Sequence, residues 1–253
     1  MNTDMPMLEL RDIHKSYNGK PALRALSLCL NRGEIFAYLG PNGAGKTTTL
    51  KILATLTFAD SGEVRYQGRP VNRDCRDFLM QVGYIPDRPF MYDKLTGREF
   101  ISFYLNIYKK PLDPATSERL RDIAGRFNIL SRLDELVESY SHGMRQKLLF
   151  TAVFLQDPQL FLIDEPMVGL DPQGMVIIKE LMRGEAEKGK TILMSTHSLE
   201  MAESVSDRIG IIHQGRLLRI MDRDRLEQEK NDARSDLTGI FLTLTSEQTS
   251  SAR

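Results

Sequence analysis

An apolar run that leads into a glycine-rich loop and a lysine limits the fold of this chain more than any other feature. Ile35–Leu39 is apolar throughout, and residues 40–47 read Gly-Pro-Asn-Gly-Ala-Gly-Lys-Thr, a full match to the pattern GxxxxGK[ST]. A short apolar run without alternation predicts a strand buried on both faces, as in a parallel sheet. A Thr/Leu/Ile-rich helix is predicted over residues 47–56. Such a loop between a strand and a helix predicts a phosphate-binding site.

Each part of this loop has a physical role in binding phosphate. Glycines allow successive backbone N–H groups to point at one anion, and the start of the helix adds the positive end of its dipole. Lys46 can reach the β- and γ-phosphates of a nucleoside triphosphate, and the Thr47 hydroxyl can bind Mg²⁺. The residues expected to bind the nucleoside triphosphate here are Gly40, Pro41, Asn42, Gly43, Ala44, Gly45, Lys46, Thr47 and Thr48.

Two carboxylates and a histidine follow other predicted strands. Residues 160–163 are apolar and lead directly into Asp164 and Glu165, and His197 follows an apolar run at residues 192–194. In α/β sheets, ligands bind at the carboxyl ends of the strands. We therefore expect Asp164 to assist Mg²⁺ binding, Glu165 to polarise the attacking water and His197 to contact the γ-phosphate. Together with Lys46, Glu165 and His197 form the predicted catalytic set.

The remainder of the chain divides into three further parts. Alternating apolar residues before residue 31 predict strands with one buried face. Residues 90–155, approximately, read as a helical insert, with a capping-box pattern at Thr96 and Glu99 that opens its first helix. A hairpin is predicted across residues 214–215, and residues 221–253 form a small C-terminal extension. Strands that alternate with helices predict an α/β fold with a largely parallel sheet.

Composition narrows the possible partners. The chain has 34 basic and 34 acidic residues, so its net charge is zero, which argues against a protein built mainly to bind nucleic acid. No apolar run approaches the roughly 18 residues needed to cross a bilayer, and the first ten residues lack the pattern of a signal peptide. We expect a cytoplasmic protein that acts on a membrane only through a partner.

The segment from Tyr140 to Gln146 resembles the signature motif of ABC transporter ATP-binding subunits, whose usual form is LSGGQ. The resemblance extends over about residues 7–220. It implies a P-loop NTPase with a RecA-like parallel core, an antiparallel β subdomain and the helical insert. It also implies that Tyr17 stacks on adenine and that Asp171 belongs to a dimer-contact loop. The signature residues expected to close over the partner protomer's γ-phosphate are Ser141, His142, Gly143 and Met144.

The chain departs from the family's pattern at three positions. His142 stands where Gly is usual, Met144 where Gln is usual, and Asp87 where the family has the Gln of its Q-loop. Asp87 is therefore a third candidate Mg²⁺ ligand, beside Thr47 and Asp164. An acidic residue at this place, together with this form of the signature, resembles the branch that exports drugs, lipids or polysaccharides.

The resemblance implies an ATP-hydrolysing transporter subunit with ATP and Mg²⁺ as cofactors. Its expected partners are transmembrane permease subunits on a separate chain, docked near residues 87–92, and a second ATPase subunit in a homo- or heterodimer, with no nucleic acid. The expected location is the cytoplasmic face of the cell membrane, as a peripheral protein. One alternative is a soluble ABC ATPase of ribosomes or DNA, which usually has two nucleotide domains or a long coiled coil. Another is a nucleotide sensor without turnover, which should lack the base Glu165.

Overall fold

The computed structural model describes residues 5–72, 75–233 and 236–250. Its strands are β1 (Leu8–Tyr17), β2 (Lys20–Leu30), β3 (Ile35–Leu39), β4 (Ser61–Tyr66), β5 (Arg69–Pro70), β6 (Val82–Ile85), β7 (Leu160–Asp164), β8 (Thr191–Thr196), β9 (Arg208–His213) and β10 (Arg216–Asp222). Its α-helices are α1 (Lys46–Leu53), α2 (Arg76–Leu79), α3 (Gly97–Ile107), α4 (Pro114–Arg126), α5 (His142–Gln156), α6 (Pro172–Glu187), α7 (Leu199–Val205), α8 (Arg223–Ala233) and α9 (Leu237–Ser250).

The larger sheet has the strand order β10-β9-β3-β8-β7-β6 and is parallel except for β10, which pairs antiparallel with β9. Every residue of β3, β7 and β8 is buried. Along β3, Ala37 packs in the core on one face of the sheet, whereas Phe36 and Tyr38 pack in the core on the other. The predicted parallel α/β sheet is thus confirmed, and the carboxyl ends of β3, β7 and β8 lie side by side.

The smaller sheet has the order β2-β1-β4-β5 and is antiparallel. The alternating leucines that predicted its first two strands, such as Leu10 and Leu28, are buried. They share one hydrophobic core with Phe36 and Tyr38 of the larger sheet. The antiparallel β subdomain therefore packs directly on the parallel core.

Three long helices, α3, α4 and α5, lie in the chain between β6 and β7, within the predicted helical insert. The expected capping box is present, because Thr96 Oγ1 accepts from the Glu99 backbone at 3.2 Å and Glu99 Oε2 accepts from the Thr96 backbone at 2.8 Å. The apolar side chains of these helices join the core below the larger sheet. The insert is thus anchored to the same sheet that carries the candidate site.

The end of helix α1 differs from the sequence prediction. Helix α1 ends at Leu53, not at residue 56, because Ala54 leaves helical geometry and Thr55 takes a left-handed backbone (φ 55°).

The C-terminal extension contains α8 and α9, and Leu237 and Ile240 of α9 are buried against the core. Residues 234–235 and 251–253 of that extension lie outside the described residues. None of the described helices combines the length and the apolar character needed to cross a membrane.

Candidate functional site

The predicted phosphate loop lies between β3 and α1, and its lysine folds back over it. Lys46 Nζ donates to the carbonyl oxygens of Gly40 at 2.7 Å and Pro41 at 3.2 Å. The Lys46 side chain is only 6% exposed. Its ammonium group is therefore held at the mouth of the loop, where it would meet a bound phosphate.

Two glycines of the loop allow a close approach of neighbouring backbone. A Cβ atom at Gly40 would lie 2.4 Å from the Ile212 carbonyl oxygen. Gly45 has a φ of 111°, and a Cβ there would lie 2.8 Å from the Ala22 carbonyl oxygen. Gly40 has no space for a side chain. Gly45 likewise has no space for one, and its backbone conformation also favours glycine.

A hairpin turn supports the loop from behind. The backbone N–H of Gly215, between β9 and β10, donates to the Ala44 carbonyl at 2.8 Å. The Gly215 carbonyl accepts from Arg24 of β2, also at 2.8 Å. The sequence predicted this hairpin but gave no sign of its contact with the phosphate loop, because the two segments are 171 residues apart (215 − 44).

The predicted catalytic residues meet at the carboxyl edge of the larger sheet. Glu165 Oε1 lies 3.5 Å from Lys46 Nζ, and Glu165 Oε2 lies 2.9 Å from His197 Nδ1. The His197 backbone N–H also donates to Glu165 Oε2 at 3.4 Å. Glu165 itself has a left-handed backbone (φ 50°), which is uncommon for a residue with a side chain. The carboxylate is therefore held between a cation and an imidazole.

Asp164, the last residue of β7, is fully buried. Its Oδ1 accepts a hydrogen bond from Ser195 Oγ, and its Oδ2 has no hydrogen-bond partner among the described residues. Burial raises the pKa of Asp164 above its usual value, and the hydroxyl groups of Ser195 and Thr47 offset only part of this rise. A buried carboxylate oxygen without a partner, beside a threonine hydroxyl, fits a cation site.

A cavity of about 210 Å³ lies between the phosphate loop, Asp87 and Glu165. It is lined by Ala22, Asn42, Gly43, Ala44, Gly45, Lys46, Thr47, Thr48, Asp87 and Glu165. Asp87 thus faces the phosphate loop, as its place in the sequence suggested. Tyr17 is not part of this lining and is 45% exposed at the end of β1, with Lys15 Nζ 5.4 Å from its ring centre. This volume is smaller than the roughly 300–1,000 Å³ that is usual for pockets that enclose a whole small-molecule ligand.

The predicted signature residues lie at the start of α5, and none of them is among the described residues that line this cavity. Ser141 caps the helix, since its Oγ accepts from the Met144 backbone at 3.2 Å. A Cβ at Gly143 would lie 2.5 Å from the Gly169 carbonyl oxygen, and one at Gly169 would lie 2.3 Å from His142 Cδ2. The helix start therefore packs tightly against the loop that follows Glu165.

Asp171, the predicted dimer-contact residue, has partners within its own chain. Its Oδ1 accepts from the Gly174 backbone at 2.7 Å and caps α6, and its Oδ2 accepts from Lys147 Nζ at 2.9 Å. The hydrogen bonds from Lys147 and from Gly174 hold the pKa of Asp171 below its usual value. The sequence analysis did not predict the role of Lys147. The only indication in the sequence is that this basic residue directly follows the signature segment.

An exposed aromatic patch, formed by Phe90, Tyr92 and Phe103, lies on the helical insert. The Phe90 and Tyr92 ring centres are 6.0 Å apart, and those of Tyr92 and Phe103 are 5.2 Å apart. Phe90 is 83% exposed. Met91, which the sequence placed in the same docking surface, is instead buried in the core, so it does not contribute to the patch.

The comparisons with known proteins point to one family. A family profile described as ABC transporter matches residues 23–168. The ABC-type transporter ATP-binding protein EcsA of Bacillus subtilis is 32% identical over 96% of this chain and 98% of its own length. The linearmycin resistance ATP-binding protein LnrL of the same organism is 32% identical, over 85% of this chain and 68% of its own.

A solved structure of an ATP-binding subunit of an ABC transporter is similar to nearly the whole chain. It has a TM-score of 0.87 and 31% identity, and the match covers 94% of this chain and 99% of that one. The fold of the chain thus agrees with that of this solved structure. The chain therefore belongs to the ABC transporter family, as one of its ATP-binding and ATP-hydrolysing subunits.

Proposed function

We propose that this subunit hydrolyses MgATP at two composite sites of an ATPase dimer and drives export through transmembrane permease subunits on separate chains. The observation that carries the proposal is the position of Glu165, 3.5 Å from Lys46 Nζ and 2.9 Å from His197 Nδ1, at the mouth of the phosphate loop. A carboxylate at this point can polarise a water molecule that attacks the γ-phosphate.

The residues around the cavity divide the work of hydrolysis. Lys46 and the backbone N–H groups of the loop bind the phosphates and stabilise the negative charge of the transition state. Glu165 accepts the proton of the attacking water, and His197 orients the Glu165 carboxylate and contacts the γ-phosphate. Tyr17, exposed at the end of β1, stacks on the adenine ring.

Mg²⁺ is assigned to Thr47, Asp164 and Asp87. The partnerless, buried Oδ2 of Asp164 supports this assignment. The described residues contain no group of three or more His, Cys, Asp or Glu side chains that could hold a metal without further ligands. Phosphate oxygens and water complete such sites when the metal arrives with a nucleotide. When bound, the ion neutralises charge on the phosphates.

A second protomer is needed because the signature and the cavity are separate within one chain. Among the described residues that line the cavity, none belongs to the segment Ser141–Met144. The first turn of α5 offers backbone N–H groups and a positive dipole end that suit a phosphate supplied by another protomer. Asp171 and its loop, packed beside this turn, form part of the contact between protomers. We take the second protomer to be an identical chain, and a different ATPase subunit in the purified complex would overturn this choice.

The aromatic patch supports a docking site for the permease. Three exposed aromatic rings in one cluster are unusual for a surface that faces only water. A location at the cytoplasmic face of the membrane follows from docking to such a partner. The resistance relative LnrL supports the choice of export over import.

The test uses a tagged Glu165→Gln protein, purified from membranes with ATP and followed by mass spectrometry. Loss of the base should hold the ATP-bound dimer closed, so we expect a multi-span membrane protein in stoichiometric amount. Lys46→Ala, which weakens phosphate binding, is the matched control. This variant should copurify with less of the membrane protein. Copurification of ribosomal or DNA-associated proteins without a membrane protein would instead favour a soluble ABC ATPase.

A further inference from the structure

One short segment, Asp87–Asp93, touches three functional surfaces. Asp87, at its start, lines the nucleotide cavity. Phe90 and Tyr92, near its end, belong to the exposed aromatic patch. Asp93, its last residue, accepts a hydrogen bond from Arg145 Nη1 of the signature helix at 2.7 Å. A displacement of the patch would therefore reach both the cavity and the signature helix through a few covalently linked residues.

Backbone hydrogen bonds hold Asp93 in place beside the segment that leads into the signature. The Asp93 carbonyl accepts from the Glu138 N–H at 3.1 Å, and the Leu95 carbonyl accepts from the Val137 N–H at 2.8 Å. These bonds form a short ladder between residues 93–98 and residues 133–138. The two segments are therefore joined along their length by backbone hydrogen bonds.

Two contacts connect this ladder to the signature itself. Arg145, which bonds Asp93, also donates from Nε to the Tyr140 carbonyl at 3.4 Å. A Cβ atom at Gly97 would lie only 2.4 Å from Tyr140 Oη, so the Tyr140 side chain packs directly against Gly97, the first residue of α3. The signature residues 141–144 lie between Tyr140 and Arg145, and both ends are thus fixed to the ladder.

We propose that Asp93 is a positioning residue for hydrolysis, which acts through Arg145 to set the orientation of the signature turn when a partner displaces the aromatic patch. The proposal rests on the composite sites of the proposed function, because the signature is taken to serve the partner protomer's nucleotide. Asp93 is not among the described residues that line the cavity. Its effect is therefore expected at the other protomer's site and not at its own.

Because this ion pair is exposed, its removal can test a positioning role without unfolding the chain. The Asp93 side chain is 54% exposed and that of Arg145 24% exposed. Ion pairs this exposed contribute little to folding stability. Loss of the Asp93 carboxylate should therefore leave the fold intact while it frees the guanidinium of Arg145.

Asp93→Ala is the test variant and Asp134→Ala its matched control. Asp134 accepts from Arg98 Nε at 2.7 Å, so this ion pair joins the same two segments without any residue of α5. We expect Asp93→Ala to lower the kcat of MgATP hydrolysis about tenfold through misplaced donors, with unchanged binding of a fluorescent ATP analogue. Asp134→Ala should keep the full kcat. Equal kcat values for Asp93→Ala and the unaltered chain would overturn the proposal.

Mixed dimers then test where Asp93 acts. An equal mixture of Asp93→Ala and Lys46→Ala chains contains heterodimers in which the intact phosphate loop of one meets the intact signature of the other. We expect this mixture to recover about a quarter of the unaltered activity, since about half of the dimers are mixed and each has one intact site. The control mixture pairs Lys46→Ala with Ser141→Arg, whose signature is blocked, and should recover the same fraction.

The two mixtures separate failure of this inference from failure of the proposed function. Recovery in the control mixture alone would show that Asp93 serves its own protomer's site, and the positioning role would be wrong while composite sites stand. No recovery in the control mixture would overturn the composite sites and, with them, the role of Asp93. Recovery in both mixtures supports both.

Discussion

Replacement of Asp164 by Asn should stabilise the nucleotide-free chain while it abolishes hydrolysis. Asp164 is fully buried, and its Oδ2 has no hydrogen-bond partner among the described residues. A buried, unpaired polar group costs about 1–3 kcal/mol, and more when it is charged. Asn removes the charge but retains an unpaired amide, so we expect a gain of about 1–2 kcal/mol in the free energy of unfolding. For a chain of this size that gain raises Tm by about 2–8 °C.

The pH dependence of this gain has a definite sign. Burial raises the pKa of Asp164 above its value in the unfolded chain. The folded protein therefore retains the proton to higher pH, and the contribution of this group to stability falls as pH rises from the unfolded pKa through the folded pKa. The advantage of Asn should be small below about pH 4, where both states are neutral, and full well above the folded pKa.

Thermal unfolding followed by circular dichroism, in EDTA and then with MgATP, measures both effects. Bound MgATP stabilises the unaltered chain by about 2.7 kcal/mol at a hundredfold excess over Kd, and the Asn variant should gain less. Asp171→Ala is the control with the opposite sign, because it removes a helix cap and the Lys147 contact and should cost about 0.5–2 kcal/mol. An Asn variant that is no more stable than the unaltered chain in EDTA at neutral pH would refute the reasoning.

Two further predictions concern the phosphate loop and the adenine contact. Gly40→Ala places a Cβ 2.4 Å from the Ile212 carbonyl oxygen, so we expect a loss of about 1–3 kcal/mol in the free energy of unfolding and weaker ATP binding; an unchanged Tm in thermal unfolding would contradict this. Tyr17→Leu should weaken binding of a fluorescent ATP analogue about fivefold through loss of ring stacking, worth about 0.5–1.5 kcal/mol. Tyr17→Phe should bind as the unaltered chain does, and an equal loss in both would point to a role of the hydroxyl.

The sequence predicted those parts of the site that depend on local pattern. Lys46 follows one predicted strand, and Glu165 and His197 follow two others. This order was enough to predict that the three residues lie close together, because the carboxyl ends of parallel strands share one edge. It did not predict the left-handed backbone of Glu165 or the partnerless oxygen of Asp164. Both depend on packing from distant segments, which local periodicity does not record.

The errors have a similar origin. Met91 and Phe90 are adjacent apolar residues, and no local pattern distinguishes the one that is buried from the one that is exposed. Helix α1 ends three residues early although its sequence continues with helix-compatible residues. Likewise, the Asp93–Arg145 contact spans 52 residues (145 − 93) and becomes visible only once the insert is folded.

The central place of β3 in the larger sheet determines when this protein can fold during synthesis. Ile35 pairs with Ile192 of β8 on one side, 157 residues later (192 − 35), and Ala37 pairs with Ile209 of β9 on the other. At roughly 5–20 residues per second, the ribosome needs about 8–30 s to make the first of these partners. Until then the apolar β3 has two unpaired edges and remains open to aggregation. Nascent chains that stop before β8 should therefore depend on chaperones, and ATP can assist folding only after nearly the whole chain has emerged.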